Sequence, residues 1–132
     1  MEARGIPYVA TANASYPLDL YEKAGKVRTI RVTRLIHVFS PCPPRWSFPF
    51  NSTINIGKLA VETGWVILYE VEDSVFHLTS ASESIAKQDN LRPLREYLVE
   101  QGRFKNLTEE QIEALQRWVN ARRKCCLDRA GD

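Results

Sequence analysis

The chain has 132 residues, 44% hydrophobic and 26% charged, a composition that describes one folded domain at most and excludes a disordered tail or a fibre. Eighteen Lys and Arg against sixteen Asp and Glu leave a formal charge of +2, too balanced for a polyanion-binding surface, so nucleic acid is not an expected partner. The longest apolar runs, such as 35–39 and 65–69, fall far short of the roughly 18 residues that span a bilayer, so no membrane partner is expected.

Residues 1–7, Met-Glu-Ala-Arg-Gly-Ile-Pro, carry no long apolar region behind their charges. They do not read as a secretory signal, and a cytoplasmic, reducing location is expected. A strand is predicted from Ile6 to Thr11, followed by the turn-rich Asn13-Ala14-Ser15. Pro17 then suits the first position of a helix, because its fixed φ is helical and its missing N–H has no partner there. Leu20, Tyr21, Ala24 and Val27 fall on one face and are predicted to point inward. Leu35-Ile36-His37-Val38-Phe39 is a continuous run without alternation, which predicts a second strand buried on both faces.

Ser40-Pro41-Cys42-Pro43-Pro44-Arg45-Trp46 is expected to be a stiff loop, because its prolines remove N–H donors and hold the residues before them extended. Ser52 is a candidate N-cap for a helix through Thr63, with Ile56, Leu59, Ala60 and Thr63 inward and Gly64 in the left-handed terminating position. Segments 65–71 and 75–78 flank Glu72-Asp73-Ser74 as a β-hairpin. Residues 79–89 are Ser-rich and read as a flexible polar connector. Asn90 is a candidate cap for a short helix carrying Leu94, Tyr97 and Leu98, with Gly102 as its stop. Thr108 and Gln111 form a capping box that opens a last helix, with Ile112, Leu115, Val119 and Trp118 as its buried stripe. Arg122, Arg123 and Lys124 are placed where the negative end of that helix's dipole favours cations.

The rhythm of strand, helix, strand, helix, strand predicts an α/β fold: a partial doubly wound sheet with a C-terminal helical extension. It divides as 1–79, an incomplete α/β domain; 80–89, the connector; and 90–132, the extension. Such a sheet has few members and an uncovered edge, and the Gly-rich strand-to-helix turn that often begins these folds is absent, so the chain reads as the second half of something larger.

Several stretches, in order, carry a resemblance over nearly the whole chain. They are Pro7-Tyr8-Val9-Ala10-Thr11-Ala12, Tyr16-Pro17-Leu18-Asp19-Leu20, Ile36-His37-Val38-Phe39-Ser40-Pro41-Cys42-Pro43-Pro44, Leu59-Ala60-Val61-Glu62-Thr63-Gly64, Leu68-Tyr69-Glu70-Val71-Glu72 and Glu96-Tyr97-Leu98-Val99-Glu100-Gln101-Gly102-Arg103-Phe104. Together they resemble the C-terminal half of the β subunit of pyruvate:ferredoxin oxidoreductase, a member of the thiamine diphosphate-binding 2-oxoacid:ferredoxin oxidoreductases. The resemblance implies a thiamine diphosphate-binding-like sheet in an enzyme that decarboxylates a 2-oxoacid, transfers the acyl group to coenzyme A and passes electrons through iron–sulfur clusters to ferredoxin. It implies Mg²⁺ and thiamine diphosphate in the assembled enzyme, held by a Gly-Asp-Gly motif and an Asn that this sequence does not contain in the family's pattern. It implies partners as well: the N-terminal half of the β subunit, which carries Cys-x-x-Cys and a further cysteine, and the other oxidoreductase subunits. The family's fourth ligand to the [4Fe–4S] cluster maps onto Cys42, although Arg45 stands where the family has glycine after the two prolines. No catalytic residue is nameable, and no cofactor is expected on the isolated chain.

Physical chemistry allows Cys42 two readings. A thiolate on a stiff loop at the end of a strand keeps its sulfur aimed at little entropic cost, whereas a lone cysteine also packs as a small apolar residue. Cys125 and Cys126 are adjacent on a predicted helix and point about 100° apart, which disfavours chelation of one metal and favours packing or exposure. His37 is expected to be a hydrogen-bonded core residue. Glu70, Glu72 and Asp73 read as solvated turn charges. The basic residues Arg117, Arg122, Arg123 and Lys124 serve either the helix dipole or docking of an acidic partner. Trp46, Phe48 and Phe50 are expected at an interface between halves or subunits. Three classes of function stand at this point: an oxidoreductase component, a noncatalytic interaction module or truncated relic of that subunit, and a standalone thiol protein. On the first two, the isolated chain is expected to be colourless and to self-associate through its open strand edge.

Overall fold

The computed structural model describes residues 6–131, so most of the N-terminal stretch read for a leader lies outside the described residues. β1 (Tyr8–Asn13), α1 (Pro17–Thr29) and β2 (Arg34–Phe39) form a βαβ unit in which β1 and β2 pair in parallel, Tyr8 opposite Arg34 and Asn13 opposite Phe39. A hairpin of β3 (Tyr69–Glu72) and β4 (Val75–Leu78) joins the other side of β1 antiparallel, giving a mixed sheet in the order β2-β1-β3-β4. Asp73 and Ser74 both take positive φ, +48° and +71°, as a two-residue hairpin turn matched to the strand twist requires. The α/β class and the C-terminal helix match the sequence reading. The hairpin is shorter than expected, because residues 65–68 are not strand.

The helices depart from the sequence pattern in instructive ways. The inward face of α1 is polar: Asp19 and Lys23 are buried, while Tyr21 and Ala24 are exposed and Leu20 and Val27 are half-buried. The Lys23 ammonium donates to the Thr11 carbonyl at 2.8 Å, to Asp19 Oδ2 at 2.7 Å and to the Thr79 hydroxyl at 2.7 Å. Lys23 thus ties α1 to β1 and to the chain just beyond β4. Burial lowers its pKa against the opposing pull of Asp19.

A four-residue helical turn, α2 (Pro43–Trp46), replaces the expected irregular loop, with the two prolines in its first positions where a missing N–H costs nothing. After a 3₁₀ turn at Phe50–Ser52, α3 (Thr53–Glu62) buries Ile56, Leu59 and Ala60 as expected, Thr63 just beyond its end is also buried, and Gly64 takes φ +74°. Ser52 precedes this helix but makes no side-chain cap bond.

The expected flexible connector is instead α4 (Ser80–Gln88), which packs on α3. Tertiary contact overrides its weak apolar signal: Ser82 is buried and its hydroxyl accepts the Leu68 N–H at 2.8 Å. α5 (Leu94–Val99) buries Leu94, Tyr97 and Leu98 as expected, with Pro93 rather than Asn90 before its first turn, and Gly102 opens a 3₁₀ turn through Phe104.

α6 (Glu109–Gly131) is opened by the predicted capping box: the Thr108 N–H donates to Gln111 Oε1 at 2.9 Å and the Gln111 N–H to Thr108 Oγ1 at 3.3 Å. Val119 is fully buried, Ile112 and Leu115 are half-buried, and Trp118 remains 50% exposed. The helix continues past Arg122, so the basic cluster does not end it. One core joins Phe48, α3, α5 and Val119, with Trp46, Trp65, Phe104 and Leu107 packed against it.

Candidate functional site

The two parallel strands end side by side. The Ala14 N–H donates to the Phe39 carbonyl at 3.0 Å, and the chain leaves β2 through Ser40-Pro41-Cys42. Cys42 stands in extended conformation immediately before α2, at φ −115° and ψ 97°, and its thiol is free and exposed. Among the described residues, therefore, nothing packs Cys42 as a small core residue. Pro41 is buried beneath it, and the Cys42 carbonyl accepts the Trp46 N–H at 3.0 Å. The following turn closes with the Ser47 N–H on the Pro43 carbonyl and Ser47 at φ +57°.

What holds this loop comes from the far end of the sequence. Gly102 donates its N–H to the Ser47 carbonyl at 2.9 Å, and a Cβ on Gly102 would lie 2.7 Å from the Ser47 Cβ, so only glycine permits that approach. The Arg103 guanidinium stacks 3.8 Å from the Trp46 ring centroid and 4.4 Å from that of Phe104. Its Nε donates to Gln101 Oε1 at 2.9 Å and Nη2 to the Tyr97 hydroxyl at 3.0 Å, while Gln101 Nε2 donates to the Tyr97 carbonyl at 2.7 Å. Gln101-Gly102-Arg103-Phe104 is thus a clamp on the turn that follows Cys42. The segment stood out in the sequence only through the family resemblance; its physical partner, 55 residues away, left no local pattern.

Trp46 and Phe48 belong to this clamped cluster, with Phe39–Trp46 ring centroids 5.6 Å apart and Trp46–Phe48 6.2 Å apart. Phe50 stays 76% exposed. Across the β1 end, buried Asn13 donates Nδ2 to the Gly57 carbonyl and accepts the Ser15 N–H, both at 2.8 Å, fixing the turn beside the loop.

Other candidates land elsewhere. His37 is exposed, not a core histidine, and among the described residues its strand β2 lies at the edge of the sheet beside β1. It borders a recess also lined by Thr11, Trp65, Tyr69, Arg122 and Arg129. Glu70 is not a solvated turn charge: it is buried, accepts the Tyr8 hydroxyl at 2.8 Å and pairs with Lys26. Burial would raise its pKa, but Lys26 and Tyr8 hold it below the usual carboxylate range. Burial and this carboxylate push the Tyr8 phenol up. Glu72 and Asp73 are exposed as expected. Arg122 donates to the Gly64 and Trp65 carbonyls, so its cation serves the end of α3 rather than of α6, and Arg123 pairs with Asp89 at 3.0 Å. Cys125 is exposed and Cys126 half-buried, and neither forms a disulfide. Among the described residues no three His, Cys, Asp or Glu side chains converge as a metal site, and no helix is long and apolar enough to cross a membrane.

This geometry is an α/β scaffold that presents the Cys42 thiol at the end of β2, and among the described residues no group of three or more His, Cys, Asp or Glu side chains is placed to hold a metal. Comparison with known proteins gives the class. The chain is 45% identical over 121 residues to pyruvate synthase subunit PorB of Methanothermobacter marburgensis, covering 92% of this chain and 40% of that subunit. It is 44% identical over 124 residues to PorB of Methanocaldococcus jannaschii, covering 94% of this chain and 40% of the relative. It is 39% identical over 117 residues to ketoisovalerate oxidoreductase subunit VorB of Pyrococcus abyssi, covering 89% and 36%. No protein-family model matches. The chain is a homologue of the β subunits of 2-oxoacid:ferredoxin oxidoreductases, as its motifs indicated, and it spans about 40% of the length of the PorB relatives.

Proposed function

We propose that the chain is the C-terminal portion of a 2-oxoacid:ferredoxin oxidoreductase β subunit and that Cys42 supplies the fourth thiolate of a [4Fe–4S] cluster in the assembled enzyme. The observation that carries this reading is an exposed, free thiol at the end of β2, on a turn clamped by Gly102 and Arg103. The residues fit one corner of a cluster and no more, since four thiolates are the normal complement and the described residues bring no other ligand to it. When bound, the cluster carries the one-electron steps between thiamine diphosphate and ferredoxin. The role of this chain is to hold one sulfur in place. Prolines 41, 43 and 44 restrict the backbone on either side of it. The stacked Arg103 guanidinium and the Gly102–Ser47 bond prevent the turn from swinging. Thiamine diphosphate, Mg²⁺ and coenzyme A belong, on this reading, to the rest of the enzyme.

The test is co-production of the chain with the remaining region of a PorB-type subunit and its partner subunits, followed by 2-oxoacid-dependent reduction of ferredoxin. Turnover that requires this chain supports the reading; turnover at the same rate without it refutes it. The second reading, a noncatalytic docking module, predicts assembly without turnover.

A further inference from the structure

The turn that carries Cys42 collects positive charge that no acidic side chain balances. Between Glu22 and Glu62 the sequence holds no Asp or Glu, and Cys42 sits in the middle of that stretch. Over the whole chain acids nearly match bases, sixteen against eighteen, so their absence around this thiol is local and not a consequence of composition. Arg45, on α2, is exposed and forms no ion pair among the described residues. Arg103 reaches the same turn from the far end of the sequence. Its hydrogen bonds go to Gln101 Oε1 and the Tyr97 hydroxyl, both uncharged, rather than to the nearby Glu100, so the cation is held in place and left unneutralised. One helical turn of about 5.4 Å separates Cys42 from Trp46, and the Arg103 guanidinium stands 3.8 Å from that ring centroid, which puts both arginine charges on the order of 10 Å from the thiol. Arg45 replaces the glycine of the family motif, so one of the two charges is absent from that motif.

We propose, resting on the ligand role given to Cys42 above, that Arg45 and Arg103 raise the reduction potential of the cluster that Cys42 ligates. Reduction adds one negative charge to a cluster that its thiolates already make anionic, so a nearby cation stabilises the reduced form more than the oxidised one. Both side chains are exposed, and water and salt screen them. At this distance each cation is therefore worth roughly a threefold change in the ratio of reduced to oxidised cluster. For a one-electron couple, at about 59 mV per tenfold, that is about 28 mV. Arg45 acts by charge alone, whereas Arg103 also fixes Trp46. Both are tuning residues and neither is a cluster ligand.

The experiment is a redox titration of the assembled complex, followed by electron paramagnetic resonance of its reduced clusters, for the parent, Arg45→Gln, Arg103→Gln, Arg103→Lys and the double Gln variant. The signal that Cys42→Ala removes identifies the cluster to follow. Each Gln variant is expected to lower the midpoint of that signal by about 28 mV, a threefold loss of reduced cluster at the parent's midpoint, and the double variant by about twice as much, with iron content unchanged. Arg103→Lys keeps the charge while losing the planar fork, and its midpoint is expected to stay near the parent's. Added salt is expected to shrink the differences. Unchanged midpoints in both Gln variants overturn the proposal. An equal fall in Arg103→Lys and Arg103→Gln overturns it for Arg103, whose part is then to hold the turn and nothing more. The two readings fail separately: if Cys42→Ala removes no signal, the ligand role falls and this proposal with it, whereas a signal that depends on Cys42 and ignores both arginines removes only the tuning.

Discussion

Replacing Lys23 with Met removes one ammonium from a position with 2% of its side-chain surface exposed. The loss strands three partners at once: the Asp19 carboxylate, itself 4% exposed at the side chain, the Thr11 carbonyl and the Thr79 hydroxyl. Breaking a buried ion pair from one side costs about 3–5 kcal/mol, because the surviving charge loses its compensation inside the protein. Against a total stability of about 5–15 kcal/mol, that is a large fraction, and for a domain of this size it corresponds to a fall of roughly 10–20 °C in the unfolding midpoint. The double variant Lys23→Met with Asp19→Leu removes the stranded carboxylate and is expected to recover at least half of the loss, since a buried pair replaced by apolar side chains is often near neutral. Thermal and urea unfolding of the 132-residue chain, followed by circular dichroism, measure both. A single variant within about 1 kcal/mol of the parent, or a double variant as unstable as the sum of the two singles, would refute the view that these groups act as one network.

Glu70 makes stability depend on pH in a stated direction. Its folded pKa lies below the usual carboxylate range, so its contribution is complete above that range and is lost as pH falls through the folded pKa. Glu70→Gln is expected to flatten the acid limb of a stability–pH curve below 4.5, and an unchanged acid limb would contradict the assignment. Gly102→Ala brings a Cβ to 2.7 Å from that of Ser47, so the clamp must open; a destabilisation of about 1–3 kcal/mol is expected, with altered fluorescence of Trp46. Cys42→Ala is expected to change the unfolding free energy of the isolated chain by less than about 0.5 kcal/mol, because the side chain is exposed, and a larger loss would assign Cys42 a structural role.

How much was legible depended on how local each interaction is. The inward face of α3 and the Thr108–Gln111 box were readable because their determinants lie within two turns of one helix. The hairpin was readable from two short apolar runs around Asp73 and Ser74, its ends less so. α1 was misread because its apolar residues suggested a core face, while the face that packs is anchored by Lys23 to Thr79, 56 residues away. α4 offered Ser and Ala where a periodic stripe is sought, and it is held by Ser82 accepting a backbone N–H across the fold. Continuous hydrophobicity in β2 signalled two covered faces, yet the described residues cover the strand incompletely and leave Val38 exposed. For the site, Cys42 was legible from its proline setting and from the family motif. The Arg103–Trp46 stack that steadies it was not, because no sequence periodicity connects a guanidinium to a ring 57 positions earlier.

The central claim is that one sulfur in this chain completes a cluster otherwise held elsewhere. Iron and acid-labile sulfide in the assembled complex, measured for the parent, for Cys42→Ala and for the paired substitution Cys125→Ser with Cys126→Ser, test it most directly. The account predicts loss of about one cluster's worth of iron in Cys42→Ala, with the subunits still assembled and the paired variant unchanged. Full iron content in Cys42→Ala, or a loss confined to the Cys125/Cys126 variant, would contradict it.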